Sequence, residues 1–156
     1  MKPLAKAILF VLLLPLCSPA QEGESWPPPS YLRNDYRAVA VVAHVRIRGA
    51  EITGRVGGYE NWRVSAEVVE PFKGRFRRGD LLEYFHGAEA GLRQEYFSGE
   101  KIVFLLAERD RESKALRYSV LENSTLPHTE DRVRKLRAIR KSYARRRPSP
   151  PSYKKT

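Results

Sequence analysis

The sequence predicts a mainly β protein: a small closed barrel of five strands finished by a C-terminal α-helix. Three observations carry that expectation. Residues 36–48 alternate apolar side chains at period two over an unusually long run. Residues 61–85 hold two further β-prone runs separated by a glycine- and arginine-rich turn. The one stretch with helical spacing of apolar residues, 129–145, comes last.

The first twenty residues belong to none of these elements. Lys2 and Lys6 give a basic start, residues 7–14 are an apolar run, and Ser18, Pro19 and Ala20 supply small side chains. That is the pattern of a secretory signal peptide (1–20) cleaved before Gln21. The run falls short of the ~20 apolar residues a spanning helix needs, so no transmembrane helix is expected in the mature chain. The chain is expected to be exported, to a periplasm or the extracellular space. A lipoprotein signal anchored at Cys17 is the competing reading, with Leu16 standing where lipid attachment wants a small residue. Cys17 is the single cysteine. With cleavage before Gln21 the mature chain has no disulfide, no thiolate and no cysteine metal ligand.

Residues 21–34 carry Trp26, three consecutive prolines and Tyr31, and predict an extended linker. The barrel is expected over 35–127. In its first strand Val39, Val41, Ala43, Val45 and Ile47 share the core face. The other face passes from Ala40 and Val42 through His44 to Arg46 and Arg48, as if leaving cover for solvent. Four glycines make 49–60 a long loop with at most a short extended piece at Ile52. Trp62, Val64, Ala66 and Val68 define the core face of the second strand, and Pro71 marks a bulge or edge near its end. Residues 81–85 form the third strand. Residues 86–98 predict one or two helical turns around 89–97, or irregular chain. Residues 101–107 form a buried fourth strand, and Leu116, Tyr118 and Val120 alternate in the fifth. Thr129 caps a basic amphipathic helix (128–146), with Glu130 and Asp131 at its positive end and Val133, Leu136, Ile139 and Tyr143 as its packing stripe. Prolines then end it, and 147–156 is expected to be a disordered basic tail.

Five strands with a closing helix fit an OB-type Greek-key barrel. The order of segments also resembles the netrin-like modules related to tissue inhibitors of metalloproteinases. The matching stretches are 38–45 as the first strand and 66–74, where Val68-Val69 is followed by Lys73-Gly74. Gly79-Asp80 opens the third strand, 97–105 carries Phe97-Ser98-Gly99-Glu100 before an apolar run, and Asn123-Ser124-Thr125 follows the fifth. The resemblance implies a secreted OB-fold barrel. It does not carry over protease inhibition, because the N-terminal zinc-binding cysteine and the stapling disulfides of those inhibitors have no counterpart here. Fold alone does not define function.

The formal net charge of +11 is unevenly placed. Residues 21–131 hold 16 Lys and Arg against 18 Asp and Glu, whereas 132–156 hold 11 and no acid. A near-neutral body argues against nucleic acid on the barrel surface. It suggests that helix and tail form a separable cationic attachment, with Arg140, Lys141, Arg145, Arg146 and Arg147 as candidate contacts to an anionic envelope surface or a protein partner. Tyr84 is a further candidate surface contact. No cofactor and no catalytic set is expected. No HExxH, nucleophile elbow, P-loop or dinucleotide fingerprint occurs. Two alternatives stay open: a metal-dependent or hydrolytic enzyme using His86 with Glu83 or Glu89, and oligosaccharide or oligonucleotide binding on the barrel face.

Overall fold

The computed structural model describes residues 29–111 and 113–145. In chain order these form α1 (Pro29–Ala38), β1 (Val41–Val56), β2 (Tyr59–Lys73), β3 (Leu81–Glu89), a 3-10 turn (Gln94–Phe97), β4 (Glu100–Arg109), β5 (Leu116–Pro127) and α2 (Glu130–Arg145). The strands close in the order β1-β2-β3-β5-β4, with β4 returning to β1. Every pairing is antiparallel except the single β3–β5 bridge. This is the five-stranded OB-type barrel with a C-terminal helix that the alternation predicts.

Two cores hold it together, one inside the barrel and one outside. Val41, Ala43 and Val45 of β1 meet Trp62, Val64, Ala66, Val68, Leu82, Tyr84, Val103 and Leu105 in the interior. Their alternates Val42, Ile102 and Phe104 face outward, against Leu32 and Tyr36 of α1 and Val133, Leu136 and Ile139 of α2. β1 and β4 are therefore buried on both faces where they pair, which is why residues 41–45 and 102–105 are buried without alternation. The charged end of the outer face begins at Arg46, where the helices no longer cover it.

Several expectations need correction, and the first strand is one: it begins at Val41, because residues 36–38 belong to α1, and Val39 packs in the outer core rather than inside the barrel. Residues 29–34 are not extended linker but the start of α1. Proline is tolerated at the first position of a helix, where its missing N–H would be unpaired anyway. Leu32 and Tyr36, four apart, then reach the outer core. Residues 49–60 are not a loop, since β1 and β2 continue as a paired hairpin to Val56 and Tyr59. Gly57 and Gly58, at φ 57° and 83°, make its two-residue turn. Residues 86–89 extend β3, and only 94–97 are helical, as one 3-10 turn. The fifth strand runs on to Pro127. Pro71 does sit at an irregularity of the β1–β2 register, as proline's missing donor requires.

Another correction concerns α2. It is no separable attachment, because its stripe completes the outer core, with Leu136 0% exposed. Thr129 caps it as expected, accepting from the Arg132 N–H at 3.3 Å. The segments read as signal peptide (1–20) and tail (147–156), and most of the linker, lie outside the described residues.

The Lys73-Gly74 pair has a definite structural task. The Lys73 ammonium donates to the carbonyls of Tyr36, Arg37 and Val39 at 2.7, 3.2 and 2.5 Å, so a cation from β2 closes the negative end of α1. Gly74 has φ 106°, and a side chain there would stand 3.1 Å from Val41 Cγ2 and 3.2 Å from the Ala40 carbonyl oxygen. The buried Asp35 carboxylate accepts from the Ser124 hydroxyl at 2.9 Å, tying α1 to β5.

Candidate functional site

A cluster of histidine and carboxylate side chains lies on the outer face where β1, β4 and the β5–α2 junction meet. Ladder register builds it. Glu100 pairs with Arg46 across β1–β4, two positions along from His44. Lys101 pairs with Pro127 across β4–β5, which leaves His128 beside Glu100. The His128 N–H donates to the Glu100 carbonyl at 3.3 Å.

The side chains then converge. His44 Nε2 lies 2.8 Å from Glu100 Oε2, while Arg46 holds Oε1 with contacts of 2.8 and 3.2 Å. The His44 and His128 rings stack with centroids 4.2 Å apart and planes 14° from parallel. One donor atom from each of His44, Glu100 and His128 falls within 4.8 Å of the others. Two further acids border the group. Glu130 Oε1 is 3.8 Å from His128 Nε2. Glu70 faces His44 from β2 and is held by Arg137 of α2 at 2.9 and 2.6 Å.

Burial pulls the His44 imidazole below its ordinary pKa, more strongly than the bond to Glu100 raises it, so the ring is biased to its neutral form. The Glu100 carboxyl is held below the usual range by its hydrogen bonds from Arg46 and then from His44. A neutral imidazole and an ionised carboxylate are the protonation states that metal ligation needs.

Spacing rules miss this cluster because its members come from three elements, at positions 44, 100 and 128. One signal for it was present in the sequence. His44 stands within the covered part of the outer face, next to Val42, and a polar side chain buried there must find partners.

The sequence-predicted contacts are dispersed. Lys141 and Arg145 are exposed and form no ion pair among the described residues. Arg140 is exposed but tied to the barrel, donating to the Pro71 carbonyl at 2.8 Å. Arg146 and Arg147 lie outside the described residues. Tyr84 is 0% exposed and is not a surface contact. The β3 register turns Leu82 and Tyr84 inward and leaves Leu81 and Glu83 outside.

His86 lies in an open cleft of about 360 Å³ at the barrel end, shared with Tyr59, Leu92, Tyr96 and Val120. Its neighbours are the rings of Tyr96 and Phe97, with centroids 5.7 and 5.3 Å away. Its imidazole is pushed below its ordinary pKa by burial. Glu83 and Glu89, the acids expected to serve it, are exposed and form no ion pair with it. Among the described residues no helix is long and apolar enough to cross a membrane. Comparison with protein-family models finds no match, and comparison with curated proteins finds none either.

Proposed function

We propose that this is an exported, non-enzymatic binding module that attaches to an anionic envelope surface through its basic C-terminal face. The observation that carries the reading is the charge division: 11 Lys and Arg and no acid over 132–156, against a body of 16 bases and 18 acids. The packing of α2 supports it. With Val133, Leu136 and Ile139 fixed against the barrel, Arg134, Lys141 and Arg145 recur at helical spacing along one exposed side. Each Lys or Arg near an anionic surface contributes about 1 kcal/mol within a Debye length, so a few engaged side chains give weak, reversible attachment.

The test is co-sedimentation with vesicles containing anionic lipid, compared with zwitterionic vesicles. Two chains starting at Gln21 are used, one complete and one ending at Arg145. A cut at Arg140 would remove Tyr143 from the outer core and confound attachment with folding. The complete chain should bind anionic vesicles at low salt and release as salt rises. The shortened chain should bind several-fold more weakly, and Lys141→Glu with Arg145→Glu should weaken it further. Equal retention of the three proteins removes this reading. Salt-dependent capture by acidic proteins without vesicle binding would instead place the partner in solution.

A further inference from the structure

We propose that His44, Glu100 and His128 form a binding site for a divalent transition-metal ion of zinc's type, which ties β1, β4 and the start of α2 together. Two imidazoles and one carboxylate are a donor set that suits zinc, nickel or copper, whereas magnesium and calcium prefer oxygen alone. Three protein ligands leave a fourth position for water.

The distances are within reach of ligation. Zinc–nitrogen and zinc–oxygen bonds of about 2.0–2.2 Å put tetrahedral ligands about 3.3 Å apart. The donor atoms here already lie within 4.8 Å of one another, and His44 Nε2 and Glu100 Oε2 are 2.8 Å apart. Ligation by both imidazoles requires their rings to turn out of the 14° stack, so that two lone pairs now lying in nearly parallel planes converge on one centre.

The surroundings are those of a prepared site. His44 is 6% exposed, over the outer-core residues Val42 and Ile102 of its own ladder. Arg46 grips Glu100 by Oε1 and so fixes Oε2 toward the imidazoles, the role of an outer partner that orients a ligating carboxylate. Glu70 and Glu130 on either side help offset the charge of Arg46 and of an incoming cation.

The placement also assigns the ion a task. His128 directly precedes Thr129, the cap of α2, so a ligand bond at His128 fixes the helix start to the ladder that carries His44 and Glu100. A mature chain beginning at Gln21 contains no cysteine, and a metal bridge supplies the covalent-like restraint that a disulfide supplies elsewhere.

The experiment uses the chain from Gln21 to Thr156, stripped of metal and titrated with zinc alone. At zinc one hundred times its Kd the melting midpoint should rise by about 10 °C and fall back on chelation. Cobalt(II) added well below the midpoint should give a visible absorption band that zinc bleaches. His128→Ala, and separately Glu100→Gln, should lose both responses. Because either variant could weaken the fold, the cobalt signal is read where circular dichroism shows it folded. A wild-type midpoint unmoved by zinc with no cobalt band overturns the proposal. So does a His128→Ala protein that responds as wild type does, since the ion would then bind elsewhere.

Discussion

Leu136→Ala tests whether α2 is part of the fold. The Leu136 side chain is 0% exposed and sits in the outer core with Leu32, Tyr36, Val133 and Ile139. Truncation removes the transfer energy of three carbons and leaves a cavity whose lining cannot fully collapse, because the barrel wall beneath it is rigid. Fully buried leucines lose 2–5 kcal/mol in such exchanges, and a site between two helices and a sheet should fall near ~3 kcal/mol. For a domain of this size that lowers the melting midpoint by roughly 10–15 °C. Urea unfolding followed by far-ultraviolet circular dichroism measures it, with Leu81→Ala, 79% exposed, as the control expected within about 0.5 kcal/mol of wild type. A Leu136→Ala chain no less stable than the control would mean that α2 rests on the barrel without completing its core, and the account of two cores would fail.

Other outcomes follow from single contacts. Lys73→Met keeps the aliphatic stem but leaves the end of α1 without its cation, and should cost about 1.5–3 kcal/mol in the same urea assay. A cost near zero would show that water closes the helix equally well. Gly74→Ala combines a φ of 106° with a contact of 3.1 Å and should destabilise by at least 1 kcal/mol, where neutrality would contradict the close approach to Val41. His86 is depressed by burial, so the folded ring resists a proton that the unfolded chain accepts below about pH 6.5. Its contribution is therefore whole above that pH and is lost as pH falls toward the folded value. Melting midpoints between pH 5 and 8 should decline less steeply on the acid side in His86→Gln than in wild type, and parallel curves would refute the assignment.

Much of the barrel was legible because a half-buried strand writes its register into the sequence. Trp62, Val64, Ala66 and Val68 alternate with exposed Arg63 and Ser65 and admit one pairing. The helix stripe at Val133, Leu136 and Ile139 was legible for the same reason. The glycine-rich hairpin was not, because its order comes from partners rather than from its own residues. The ladder from Ala50 to Val56 and the Arg55–Glu60 pair, 3.0 Å, hold it extended. α1 was hidden by the prolines before it, since its stability comes from Lys73, Ser124 and the outer core, all distant in sequence. Tyr84 was misplaced because alternation alone does not say which face is inside. The His44, Glu100 and His128 group depends on three strands being in register together, which no local spacing encodes.

The two helices share one side of the barrel, and the Tyr36 and Tyr143 rings lie with centroids 5.2 Å apart. Entry to and exit from the described body therefore take place on the same flank. A flexible connector from residue 145 back to 29 should close the chain, and a new opening between Gly57 and Gly58, where a side chain would meet nothing within 4 Å, should leave both cores whole. Such a rearranged protein would present its ends at the hairpin tip, so that a label or tether could be moved between sites without altering a packed residue.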